Sequence, residues 1–387
     1  MSLVSTDLEL PAGQAVLIDA VREFAQTELF PLDRKWDRDE SSVAEVLVRL
    51  GEMGLLNLCL PESLHGLGCS CRLYTALVHE LAIWSPSTAV TVSVHNMVGN
   101  ILNNRLLEPS RSQHLSRWSD PSNLAAFAIS EAGAGSDARS AKTTAREVDG
   151  GFRLNGEKMW ITNGLSARWF LMLVRLEGIR EDESRCLMLV DGNQAGIERT
   201  KISGKMGIRG SETAVIHLTD VFVPESGLLG KRGEGLRICH LTLNEGRISI
   251  AAQATGIAEA CITEMTRYAR EREQFGRPIG DFQAVGNMVA DSLVELAAAK
   301  ALVWRAAAQV DSGQVARSMS AMAKLYATES ANRIAYRAVQ VHGGAGYVNE
   351  CRVEQLYRDA RVTTIYEGTS EIQHMVIASE LARSRLP

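Results

Sequence analysis

The sequence predicts an α+β multidomain protein, with an N-terminal all-α domain, a middle β-barrel or sandwich domain and a C-terminal helical bundle. Three observations carry this. Apolar residues recur at helical spacing up to residue 122, the period shortens to that of strands over 123–232, and long Ala-rich helical runs fill 233–387. A chain of 387 residues suits two or three domains, at roughly 100–200 residues each.

Residues 14–30 place Leu17, Val21, Phe24 and Ala25 at helical spacing, and Pro31 is expected to end that run. Residues 43–53 repeat the pattern with Val43, Val46, Leu47 and Leu50 before Gly54, and 72–84 form a third run. Residues 152–154 and 157–162 flank Asn155-Gly156, and Asn163-Gly164 follows. Asn-Gly between short runs reads as a hairpin, because both residues tolerate positive φ. Residues 169–176, 186–190 and 213–223 also read as strands, the last closed by Pro224. About half a dozen strands joined by turns suggest a barrel or sandwich. Residues 236–273 contain no Pro and can form one helix, with Gly246 as its weak point. Residues 282–312, 316–341 and 369–384 continue the helical pattern, and their alanines allow close helix approach.

Composition removes several classes of function. Lys plus Arg number 41 and Asp plus Glu 46, a net charge of −5. No basic excess is available to neutralise a phosphate backbone, which argues against nucleic-acid binding. The longest uncharged stretch, 81–104, carries Ser85, Thr88, His95, Asn96 and Asn100 among other polar residues. Lipid would leave those groups without partners, so no membrane span is expected. Residues 1–10 carry neither a secretory nor a transit pattern. The expected location is the cytoplasm of a bacterium, or the mitochondrial matrix for a mature eukaryotic form. Seven scattered cysteines without C-x-x-C spacing point to neither a metal site nor a disulfide framework.

Four stretches carry more glycine, aromatic or polar residues than their structural roles need. The first is Ala128-Ile-Ser-Glu-Ala-Gly-Ala-Gly-Ser-Asp137, whose glycines could present backbone N–H groups to a phosphate or ring carbonyl. A plain turn explains the same residues. The second is Lys158-Met-Trp-Ile-Thr-Asn163, where an aromatic beside a hydroxyl could cover a flat heterocycle, or simply serve as a hairpin with a core Trp. The third is Gln340-Val-His-Gly-Gly-Ala-Gly-Tyr347, either a helix C-cap or a site of close backbone approach. The fourth is Ile365-Tyr-Glu-Gly-Thr-Ser-Glu371. Helix capping accounts for Thr369, Ser370 and Glu371. It leaves Glu367, a carboxylate beside an apolar run, as a candidate base of raised pKa.

Together, in this order and spacing, these stretches resemble the acyl-CoA dehydrogenase family over nearly the whole chain. Residues 128–140 fit one family signature, with Ala132 where the family usually has Pro. Gln340 to Asp359 fits a second, with Gln355 in place of the family's Lys or Arg, which removes a structural cation. Arg272-x-x-Phe275-Gly276, Trp160-Ile161-Thr162 and Tyr366-Glu367-Gly368-Thr369 also match. The resemblance implies a helical domain at 1–122, a β domain at 123–232 and a four-helix bundle at 233–387, assembled as a homotetramer (a dimer of dimers). It implies non-covalent FAD. Phe127, Ile129, Ser130, Gly135 and Ser136 would line the flavin or the neighbouring thioester. Trp160 and Thr162 would cover the ring, and Thr369 and Glu371 would complete the cofactor wall. Arg272, Phe275, Gln340, Gly343 and Gly344 would reach the FAD of a neighbouring subunit, and Gln283 also belongs to the implied cofactor set.

The activity so implied is FAD-dependent α,β-dehydrogenation of an acyl-CoA thioester to a trans-2-enoyl-CoA, in fatty acid or amino acid catabolism. His95-Asn96-Met97 resembles short- and branched-chain members. Electron-transferring flavoprotein is the implied electron acceptor. Glu367 would be the base, Gly368 would let the chain turn there, and Arg247 would be the electrostatic partner. Ser136, Asn244, Arg247, Tyr366 and Glu367 form the implied substrate set. Some relatives carry the base where this chain has Gly246. Glu245 lies one residue away, about 100° around a helix, and is expected to point elsewhere. Three other readings stand beside this one. The thioester could be carrier-protein-bound. A nucleic-acid-associated flavoprotein without dehydrogenation is opposed by the net charge of −5. A thioester lyase or desulfinase is opposed by the presence of Glu367.

Overall fold

The computed structural model describes residues 12–383, so the N-terminal segment weighed above for targeting lies outside the described residues. Helices α1 (Ala12–Phe24) and α2 (Phe30–Asp39) are joined by a π-helical turn at Ala25–Leu29. Pro31 therefore does not end the run. It sits in the first turn of α2, where a missing N–H is tolerated. Helices α3 (Leu47–Glu52), α4 (Cys71–Trp84), α5 (Pro86–Arg105) and α6 (Ser110–Leu115) complete the N-terminal part. The uncharged stretch becomes the last turn of α4 and nearly all of α5, a helix buried on nearly every face. Several of its polar side chains are satisfied internally. Asn96 Nδ2 donates to Leu55 O at 2.8 Å and its Oδ1 accepts from Leu58 N at 2.8 Å. Among the described residues no helix is long and apolar enough to cross a membrane.

The middle part is one eight-stranded sheet. Its strands are β1 (Ala125–Ala128), β2 (Thr144–Val148), β3 (Gly151–Thr162), β4 (Trp169–Leu176), β5 (Arg185–Asp191), β6 (Ile197–Lys201), β7 (Thr213–Pro224) and β8 (Leu228–Leu229). The order is β6-β7-β3-β2-β4-β5-β8, with β1 lying parallel to β4. The hairpin expected at Asn155-Gly156 is absent. β3 runs through it with a register shift against β7. Gly156, at φ 143°, lies so close to Thr143 that a Cβ would sit 2.7 Å from its Cα. The glycine serves a bulge rather than a turn. β4 separates two cores. Phe170, Met172 and Val174 enter one beneath the sheet, while Leu171 and Leu173 enter another shared with α5 and the start of the next long helix.

That helix, α7 (Gly235–Glu271), has 37 residues and spans about 55 Å at about 1.5 Å per residue. A short hairpin of β9 (Glu273–Gln274) and β10 (Arg277–Pro278) leads to α8 (Gln283–Asp311), α9 (Arg317–His342), α10 (Arg352–Val362) and α11 (Ser370–Arg383). Ala251, Ala254 and Ala258 of α7 share one core with Ala327, Ala331 and Ala335 of α9, the close packing that alanine permits. Helix α10 falls largely within the Gln340-to-Asp359 motif and has no counterpart among the helical runs read from the sequence.

The three parts meet at a buried carboxylate pair. Gln355 Nε2 donates to Asp33 Oδ2 at 2.8 Å and, at longer range, to Asp359 Oδ2 at 3.5 Å. Ser85 Oγ donates to Asp33 at 2.7 Å, and Ile208 N donates to Asp359 at 2.5 Å. Burial pushes both carboxyls above the ordinary carboxylate range; the charge of Asp33 adds to the rise at Asp359, and that of Asp37 adds to both. A folded-state pKa above the unfolded value gives stability that is full at low pH and lost as pH rises. Gln355→Lys restores a cation between the two groups. Its stability gain over the parent should grow from about pH 5 to about pH 8, reaching on the order of 1 kcal/mol, read as a melting-temperature difference of a few degrees. A difference that stays constant across that range would contradict this account of Gln355.

Candidate active site

A cavity of about 710 Å³ opens where α5, β1, β3, α7 and the turn before α11 converge. Each wall has a local cause. The loop after β1 is tied down by Glu131, whose carboxylate accepts from Lys142 N at 2.6 Å, Thr143 N at 3.0 Å and the buried Lys158 ammonium at 2.8 Å. The signature glutamate is thus a brace for the loop that presents Ile129, Ser130, Gly135 and Ser136 to the cavity. Gly135 has open space where a Cβ would be. Phe127 comes from β1 on the same wall.

Trp160 sits in β3 at φ 62°, a left-handed value that a bulky residue rarely adopts, between Lys158 and Ile161 where the pairing with β7 slips. The bulge leaves its ring 59% exposed along the cavity, with Thr162 beside it. A core role for Trp160 is excluded by that exposure. Of His95-Asn96-Met97, only Met97 faces the cavity. His95 stacks on Trp118 at 4.7 Å and accepts from Ala125 N at 3.1 Å. Burial holds it near a pKa of about 4, so it is neutral.

Glu367 and Gly368 occupy a left-handed turn, at φ 53° and 88°, that sends the Glu367 side chain toward α7. Oε2 is sealed from solvent and has no hydrogen-bond partner. Desolvation pushes this carboxyl up to about 7, against the opposing pull of Arg247 and Lys324. Arg247 is buried on α7. Its Nη1 donates to Asn244 Oδ1 at 2.8 Å, while its Nε is a buried donor without an acceptor. Asn244 does not line the cavity; it orients Arg247. Gly246 makes room for the Glu367 carboxyl: a Cβ there would collide with Oε2 and sit 3.2 Å from Met97 Sδ. Glu245 points away as expected, accepting from Asn100 Nδ2 at 2.6 Å. Tyr366 lines the cavity and its hydroxyl donates to Gln253. Thr369 lies on the wall, whereas Glu371 is exposed in the first turn of α11.

Arg272, Phe275, Gln283, Gln340, Gly343 and Gly344 are not brought to this cavity. All are exposed, and Phe275 is 93% so. They share one end of the bundle. Tyr268 of α7 stacks on His342 of α9 at 4.3 Å, which sets the C-terminal ends of those helices side by side. Residue patterning missed two participants. Lys324 is fully buried on α9, and its Nζ donates to Gly368 O at 2.8 Å. Gln373 Nε2 donates to the same oxygen at 2.8 Å. The signal for Lys324 was present: a lone lysine in line with Ala327, Ala331 and Ala338 on the apolar face of a helix.

The site suits a flat heteroaromatic cofactor beside a second, polar-tipped ligand. An exposed Trp ring, an open glycine loop and two buried polar atoms without partners, Glu367 Oε2 and Arg247 Nε, face or flank one cavity. Three family models match the chain: acyl-CoA dehydrogenase N-terminal domain at 11–106, middle domain at 126–221 and C-terminal domain at 233–382. The short-chain specific acyl-CoA dehydrogenase of Rattus norvegicus mitochondria is 39% identical, over 98% of this chain and 93% of the relative. The butyryl-CoA dehydrogenase structure from Megasphaera elsdenii superposes with a TM-score of 0.94 at 32% identity, covering 98% of this chain and 100% of that one. A chain of the electron transferring flavoprotein structure of Acidaminococcus fermentans gives a TM-score of 0.94 at 33% identity, covering 98% and 100%.

Proposed function

The chain belongs to the acyl-CoA dehydrogenase family, an oxidoreductase family, and from that premise we propose that it dehydrogenates a short or branched acyl-CoA thioester to the trans-2-enoyl-CoA. The observation that carries the reading is the sealed, partnerless Glu367 Oε2 against Gly246 in the cavity wall. Bound FAD supplies the acceptor for the β-hydride. Phe127, Ile129, Ser130, Gly135, Ser136, Trp160, Thr162 and Thr369 would hold it and the thioester beside it.

Glu367 removes the α-proton. A carboxylate freed of water is a stronger base than one in solution, and its value near 7 keeps it half-ionised at neutral pH. Arg247 and Lys324 keep the ionised form accessible by placing positive charge nearby. The apolar side chains of α5 exclude water from the carbanionic carbon. Ser136 and Tyr366 complete the substrate wall in this reading. A short chain suits the inner end of the cavity, where Val90, Val94 and Met97 of α5 meet Ile250 of α7. The exposed set at the bundle end, from Arg272 to Gly344, would serve the cofactor of an adjoining subunit in a homotetramer. Electron-transferring flavoprotein would reoxidise the flavin. The three parts would divide at 1–122, 123–232 and 233–387, and the enzyme would act in the cytoplasm or the mitochondrial matrix.

Anaerobic titration of the FAD-loaded protein with a series of acyl-CoAs tests this directly. Butyryl-CoA or a branched acyl-CoA of similar length should bleach the flavin fastest, by about tenfold or more over an acyl chain two carbons longer than the pocket accepts. No bleaching by any member, with FAD bound, would contradict the proposal.

A further inference from the structure

We propose that Lys324 is a positioning residue for the reaction: its ammonium pins the Gly368 carbonyl, so fixing the left-handed turn that aims Glu367, and supplies a positive charge that this carboxyl faces. The inference rests on the dehydrogenase reading and deepens it.

The geometry carries it. Lys324 is 0% exposed, and Gly368 O at 2.8 Å is its hydrogen-bond partner. A buried ammonium is costly unless it is paired and hydrogen-bonded, and a core position on an alanine-rich helix would otherwise be apolar. Among the described residues no carboxylate is paired with Nζ, so the charge is spent on a backbone carbonyl next to Glu367. That carbonyl belongs to the second of two successive left-handed residues. Non-glycine residues such as Glu367 persist in such a conformation only where their surroundings hold them there. Gln373 Nε2 is the other donor to this oxygen, at 2.8 Å, and a Cβ at 368 would sit 2.8 Å from it. Ser370 N donates to Thr364 O at 3.0 Å and Ser370 Oγ donates to Glu329 at 2.6 Å, closing the far side of the turn. Lys324 is the one charged donor in this set.

The charges around it are few. Lys324 faces Glu367 from the turn, Glu329 on its own helix, Arg247 from α7 and Glu371 from α11. Glu367 in turn faces Arg247 and Lys324. Burial lowers Lys324 to about 7, opposed first by Glu367 and then by Glu329. Lysine and glutamate therefore stabilise each other's charged forms. Removing the lysine charge leaves Arg247 as the cation facing the base, and the carboxyl holds its proton to higher pH.

The test uses FAD-loaded Lys324→Met, with Lys324→Gln as a second neutral variant and Lys324→Arg as the charge-conserving one. Flavin reduction by butyryl-CoA is followed against pH. In the neutral variants the acid limb should move up by about one pH unit, with activity at pH 7 reduced about tenfold and partly recovered at high pH. In Lys324→Arg the limb should stay in place while the rate falls at every pH. A readout independent of turnover is the carboxylic C=O stretch of Glu367, identified by its loss in Glu367→Gln and followed by infrared difference spectroscopy as pH is stepped; it should shift by the same amount. A neutral variant whose limb and infrared titration match the parent would overturn the proposal, as would a displaced limb in Lys324→Arg should the neutral variants not fold. A parent enzyme that no acyl-CoA reduces would overturn both this inference and the dehydrogenase reading, whereas a reducible parent with unmoved variants overturns this inference alone.

Discussion

Glu367→Gln should lose about 10²–10⁴-fold in the rate of flavin reduction by butyryl-CoA while retaining FAD and a parental melting temperature. The substitution changes one function only. The amide matches the carboxyl in shape, and Oε2 has no hydrogen bond to lose. Ionising a buried carboxyl whose pKa is raised to about 7 opposes folding, so removing the charge is not expected to destabilise the fold. What disappears is the proton acceptor. Stopped-flow absorbance of the flavin, with a parallel thermal melt, checks both halves. A variant that reduces its flavin at the parental rate would show that another group takes the proton.

The second large effect is expected at Gly246. Its missing side chain is the space that the base occupies, since a Cβ there would overlap Glu367 Oε2. Gly246→Ala should therefore displace the carboxyl and cost about 10²-fold in reduction rate, the scale set by displacing a reacting group by about 1 Å. The same geometry makes a sharper statement. A carboxylate from 246 and one from 367 compete for one volume. Glu367→Gly should be inactive, and adding Gly246→Glu should restore at least about tenfold of the lost rate, because the base then enters the same space from α7. A Gly246→Ala enzyme with the parental rate would show that the two positions do not share that space.

How much of this was legible in the chain depends on the physical scale of each signal. Helical and strand periods located the three parts, because burying one face is a local demand written every few residues. β4, at Trp169–Leu176, was found as a strand, while its burial on both faces emerged only from packing against α5 and α7. Asn155-Gly156 misled because positive φ is needed equally by a turn and by a bulge, and only the partner strand decides which. Pro31 misled for a similar reason, since proline breaks a helix interior but suits a first turn. Glu367, Gly368, Trp160 and the Gly135 loop were identified from their motif context, and the fold brings all of them to one cavity. Asn244 was assigned to substrate but spends its oxygen on Arg247. Lys324 went unread because its meaning depends on a carbonyl 44 residues away in sequence. His95 and Asn96 of the chain-length motif turned out to brace α5 against its neighbours rather than to contact the pocket.

The claim on which the account turns is that Glu367 is a base held near a pKa of 7 by burial, with two cations opposing the rise. Its most direct test is the pH dependence of the apparent second-order rate of flavin reduction by butyryl-CoA, which reports groups of the free enzyme. The rate should climb tenfold per pH unit on the acid side and level off above a midpoint near 7, with that limb absent from Glu367→Gln. A midpoint at the ordinary carboxylate value, or a limb that survives in Glu367→Gln, would contradict the assignment of the base.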